Sequence, residues 1–125
     1  MTKVLVVDDS RVDREIAGGF ARESGCDPAF ACHGAEALEM IEQSPPDLVL
    51  TDLNMPEMDG LHLVQEMRAL HPTIPVILMT AQGSEEIAVE ALHAGAAHYV
   101  PKPNLARDLD KAIQTVLSSV PVSYT

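Results

Sequence analysis

Short apolar runs alternate five times with longer segments of helical period, and this rhythm constrains the chain more than any other feature. The runs read as strands at 3–7, 29–32, 47–51, 75–79 and 97–100. Strand alternating with helix argues for βα units on a parallel sheet, because a parallel neighbour is reached only through a crossover. Three of the runs are nearly unbroken Val, Leu, Ile and Met, as expected of central strands covered on both faces. A length of 125 residues suits one domain. That domain is expected over 1–118, with 119–125 a tail or the start of a linker.

The intervening segments carry helix punctuation. Ser10 can cap a first helix, with Asp13 three residues on and Val12, Ile16 and Phe20 at four-residue spacing, and Gly25 ends it. Gly18 and Gly19 sit inside that helix at about 1 kcal/mol each relative to alanine, so packing must hold it together. A second helix over 35–43 is stopped by Pro45-Pro46, and a third over 60–70 turns Leu63, Val64, Met67 and Leu70 inward. Ser84 caps a fourth, Glu85 and Glu86 suit its N-terminal dipole, and Gly95 closes it after Ile87, Ala91 and Leu92. Asn104 caps a fifth, whose inward face is Leu105, Leu109, Ala112, Ile113 and Val116.

Charge excludes some classes. A net charge of −11 repels nucleic-acid phosphates and anionic membranes, so direct DNA binding by this segment is not expected. No apolar run approaches the ~20 residues of a membrane span, and the acidic start is no secretory signal, so the chain reads as cytoplasmic. Cys26 and Cys32 lack the paired spacing of zinc sites and read as buried or half-buried free thiols. The five histidines show no cluster, and Met55 and Met58 read as loop packing.

Ligands of an open parallel sheet bind at the carboxyl ends of its strands. There stand Asp8-Asp9, Asp52, Thr80 and, after the last strand, Lys102. A lone Asp in such a place is usually a turn former or a cap. Three gathered together repel, and demand either a raised pKa or a hard cation such as Mg²⁺, which prefers oxygen ligands. A carboxylate-held metal with a nearby lysine and hydroxyl points to phosphoryl transfer, and a carboxylate can itself accept the group.

The segments Val-Leu-Val-Val-Asp8-Asp9-Ser, Asp-Leu-Val-Leu-Thr-Asp52-Leu-Asn-Met-Pro56-Glu-Met-Asp-Gly60, Val-Ile-Leu-Met-Thr80-Ala81, Gly95-Ala-Ala-His-Tyr99-Val and Lys102-Pro103 together resemble the response-regulator receiver domains of two-component signalling, the chemotaxis regulators among them. The resemblance implies a flavodoxin-like α/β fold: a five-stranded parallel sheet in the order 2-1-3-4-5, doubly wound with five helices. It implies Asp52 as phosphoacceptor and Asp9, Asp8, Asp52 and the main-chain carbonyl of Asn54 around Mg²⁺, or Mn²⁺ in its place. Lys102 contacts the phosphoryl group, and a cis Lys102–Pro103 bond aims it. Thr80 and Tyr99 form the switch, and Asn54 and Gln82 tune loss of the phosphoryl group. Asn104 departs from the family pattern, which often has an apolar residue there.

The implied partners are a sensor histidine kinase or phosphotransfer protein upstream, and a partner protein or output domain downstream. Helix four, strand five and helix five, about 84–117, form the signalling face and the contact of a phosphorylation-dependent homodimer. So read, the chain is a signalling switch rather than an enzyme with a turned-over substrate. A phosphohydrolase using Asp52 as nucleophile would need a general acid, and Asn54, two residues on, cannot serve. A flavin binder would need stacking aromatics and a hydroxyl-rich phosphate loop, which the chain lacks, so no organic cofactor is expected. A phosphorylation-independent scaffold fits poorly with an intact Asp8, Asp9, Asp52, Thr80 and Lys102.

Overall fold

Strands form where the apolar runs lie. The computed structural model describes residues 1–81, 83 and 85–118. Its strands are β1 (Thr2–Val7), β2 (Cys26–Ala31), β3 (Leu48–Asp52), β4 (Val76–Thr80) and β5 (His98–Pro101). They pair in parallel in the order β2-β1-β3-β4-β5, as the resemblance implied. The helices are α1 (Arg11–Glu23), α2 (Gly34–Gln43), α3 (Gly60–Leu70), α4 (Glu85–Ala94) and α5 (Leu105–Ser118), with a 3-10 turn at Lys102–Asn104 ahead of α5. Residues 119–125, Gln82 and the expected cap Ser84 lie outside the described residues.

Alternation along the central strands feeds two cores. Val4, Val6, Leu48, Leu50, Ile77 and Met79 face α1 and α5, whereas Leu5, Val7, Val49, Val76 and Leu78 face α2, α3 and α4. The strand expected at 29–32 starts earlier, at Cys26, and pairs with β1 from Thr2↔Cys26 to Val7↔Ala31. Asp27 and Pro28 hid that start, and an edge strand tolerates both because one side of its backbone needs no partner.

α5 buries the five residues expected of it. α1 forms where the four-residue spacing placed it, but Val12 is 65% exposed and Ile16 49%, while Ala17, Gly18 and Ala21 are buried. Small residues face inward there because the helix lies close to β2: a Cβ on Gly18 would stand 2.5 Å from the Phe30 ring. Leu70, expected inside, is 57% exposed at the last residue of α3. Cys26 is buried, but Cys32 is exposed at the mouth of α2, and both are free. His33 caps α2, its Nδ1 accepting from the Glu36 N–H at 3.1 Å.

Candidate functional site

The winding reverses at β1. The chain passes outward to β2 and returns on the other side of β1 as β3, which opens a crevice at the carboxyl ends of these strands. Counting by twos from Val4 and Val6, or from Leu48 and Leu50, carries Asp8 and Asp52 toward the face under α1 and α5. Asp8 is fully buried, Asp52 is 6% exposed and Asp9 is exposed. One carboxylate oxygen from each lies within 4.8 Å of the others.

Two local turns hold this cluster in place. Ser10 donates its backbone N–H to Asp8 Oδ1 at 3.0 Å, and its hydroxyl accepts from the Asp13 N–H at 3.3 Å, capping α1. Arg14 donates to the Asp8 carbonyl at 2.8 Å. The loop after Asp52 folds back tightly, with the Gly60 N–H on the Leu53 carbonyl at 2.7 Å. A Cβ on Gly60 would meet the Asp52 carbonyl oxygen at 2.5 Å, so only glycine lets α3 start this close to the acid. Glu57, within that loop, takes a φ of 68°, a left-handed conformation that L side chains adopt at a cost. Met55 is buried and Met58 partly so, as loop packing requires.

Lys102 arrives from the end of β5 and meets three acids. Its Nζ lies 2.8 Å from Asp8 Oδ2, 2.8 Å from Asp13 Oδ2 and 3.2 Å from Asp52 Oδ1. Among the described residues no peptide bond is cis, so Lys102–Pro103 is trans, contrary to the expectation. A trans Pro103 suits the early position it takes in the 3-10 turn, where its missing N–H costs nothing, and the lysine still reaches the carboxylates.

Electrostatics set the character of the crevice. Burial pushes the Asp52 carboxyl up to about 6, and Asp8 and Asp9 push it the same way against the pull of Lys102. Burial alone would lower the Lys102 pKa, but Asp13, Asp8 and Asp52 outweigh it and hold the ammonium above its ordinary value. Asp8 Oδ2 is buried, and the Lys102 ammonium at 2.8 Å meets it as an ion pair. Three gathered carboxylates, with no histidine or cysteine in the group, fit a hard divalent cation and not zinc.

The remaining expected residues fall nearby. Thr80 is buried at the end of β4, and its Oγ1 donates to the Tyr99 hydroxyl at 3.4 Å. That hydroxyl lies 2.8 Å from where a Cβ on Gly83 would stand. The Asn54 side chain is exposed, two residues past Asp52, and Gln82 is outside the described residues. Sequence reasoning missed the second role of Asp13, which it took only as part of the α1 cap.

The sequence profile of the response regulator receiver domain matches residues 4–114. The chain belongs to this family. The receiver is 45% identical over 114 residues to the transcriptional regulatory protein ZraR of Escherichia coli (strain K12), covering 88% of this chain and 26% of that protein. It is 39% identical over 113 residues to the DNA-binding transcriptional regulator NtrC of the same strain, covering 90% and 24%. The chain thus spans about a quarter of the length of the curated relatives it matches. The receiver domain of NtrX from Brucella abortus superposes with a TM-score of 0.87 at 31% identity, covering 94% of this chain and 99% of that one. Receiver domains of this family take a phosphoryl group as a signal, and this receiver is a two-component signalling domain. Among the described residues no helix is long and apolar enough to cross a membrane.

Proposed function

We propose that Asp52 is the phosphoacceptor, taking its phosphoryl group from a histidine kinase or phosphotransfer protein. The supporting observation is the convergence of Asp8, Asp9, Asp52 and Lys102 on one crevice from separate strands. An Asp52 carboxylate oxygen attacks phosphorus, the bond from phosphorus to the imidazole nitrogen breaks, and its electron pair stays on the histidine. The product is an acyl phosphate.

Asp8, Asp9, Asp52 and the Asn54 main-chain carbonyl would hold Mg²⁺, with Mn²⁺ able to replace it. The cation supplies neutralisation of the transferring oxygens. Lys102 neutralises a further phosphoryl oxygen. Thr80 and Tyr99, whose hydroxyls already touch, shift together toward the phosphoryl group. Asn54 and Gln82 set how readily water reaches it.

The readout is the face built from α4, β5 and α5, where Val89 and Leu92 stand exposed among Glu85, Glu86 and Glu90. This face engages a cytoplasmic partner protein, an output domain or a second copy of the chain. The chain is a switch, not an enzyme with a turned-over substrate.

Incubation with Mg²⁺ and acetyl phosphate should add one phosphoryl group by intact mass, and Asp52→Asn should remove it. An adduct that survives in Asp52→Asn, or none in the wild type from either acetyl phosphate or a kinase, contradicts the assignment.

A further inference from the structure

Lys102 has more acidic partners than the proposed chemistry requires. An ammonium offers three donors, and here three carboxylates surround it. Asp8 and Asp52 belong to the metal-capable cluster, and Asp13 does not. Asp13 sits on the first turn of α1, its side chain 42% exposed, and accepts the Lys102 hydrogen bond at 2.8 Å across 89 positions of sequence. Its service to the helix is already met in other ways: the cap uses its backbone N–H, and an acid in the first turn suits the helix dipole without any lysine. The side-chain contact with Lys102 therefore needs a separate account.

We propose that Asp13 is a positioning residue that holds the Lys102 ammonium in reserve, easing metal entry and competing with the phosphoryl group. The inference rests on the reading of Asp52 as acceptor. A divalent cation entering the cluster takes over Asp8 and Asp52 and repels the lysine. Asp13 retains the displaced ammonium, so loading the metal costs less. A phosphoryl group on Asp52 then needs the same ammonium, and Asp13 withholds it while adding its own negative charge to the surroundings. One residue thus acts with opposite signs on two ligands. Because the pair is part-exposed, each effect is small, about two- to fivefold in affinity.

The test compares wild type with Asp13→Asn, using calorimetry for Mg²⁺ alone and fluorine NMR for beryllofluoride, a phosphoryl mimic, at saturating Mg²⁺. Asp13→Asn should weaken Mg²⁺ and tighten beryllofluoride, each by about two- to fivefold, with the melting temperature little changed. In a Lys102→Met background the Mg²⁺ effect of Asp13→Asn should shrink toward none. A purely structural role would move both affinities the same way. That outcome, no change in either affinity, or a full Mg²⁺ effect without the lysine overturns the proposal. If wild type binds no beryllofluoride at all, the Asp52 reading falls, and this inference with it.

Discussion

β3 carries two opposite kinds of residue two positions apart. Leu50 is fully buried among apolar side chains from α1 and α5, and every contact it makes favours folding. Asp52 is almost as buried, yet it faces Asp8 and Asp9 in a crevice that raises its pKa. The strand body holds the fold together, whereas the strand end gathers unfavourable negative charge that a divalent cation would offset. Stability and function are thus pulled apart along one strand.

The largest expected effect breaks the body of the strand. Leu50→Ala should cost about 2–5 kcal/mol of unfolding free energy, because the packed neighbours collapse only partly into the space left. Denaturant titration checks it, and a loss below about 1 kcal/mol would mean that this core is looser than the structure shows.

Asp52→Asn should act in the opposite direction, raising metal-free stability by about 3 kcal/mol at pH 7.5 while removing phosphorylation. The folded chain keeps the Asp52 proton up to about pH 6, whereas its ordinary value is 3.8. The folded state therefore binds the extra proton between these values, and wild-type stability falls as pH rises through that window. The gap between variant and wild type should be small near pH 4, grow toward pH 6 and stay constant above it. Paired melts across pH read this directly, and a gap independent of pH would show that neither burial nor its neighbours strain Asp52.

The smallest effect sharpens the same contrast on α1. A Cβ at Gly19 meets nothing within 4 Å, so Gly19→Ala should stabilise by roughly 0.5–1 kcal/mol through helix propensity alone, and leave phosphorylation unchanged. Thermal melting of this variant separates the glycine that costs stability from Gly18, which lies against Phe30.

Much of this was legible from local pattern. The unbroken runs marked β1, β3 and β4 as central, and the full apolar stripe of α5 named its buried face, because burial on both sides or along a wide stripe leaves a periodic trace. The buried face of α1 left no such trace. There, close approach to β2 selects small side chains, and the larger Val12 and Ile16 face outward. Hydrophobicity alone cannot report a distance between elements.

The site divides in the same way. Asp8, Asp9, Asp52, Thr80 and Lys102 were found from the sequence because each stands at or just beyond the end of a strand, and parallel winding brings such ends to one edge. The trans bond at Pro103, the left-handed Glu57 and the reach of Lys102 to Asp13 were not, since each depends on how separate segments meet. The sequence by itself determined the parallel sheet and the acids at its edge, through periodicities that each residue shares with its chain neighbours, and the strand order followed from the family resemblance. Only the tertiary structure decided which acids share the lysine, because that contact spans 89 positions and is set by the packing of α1 against the sheet.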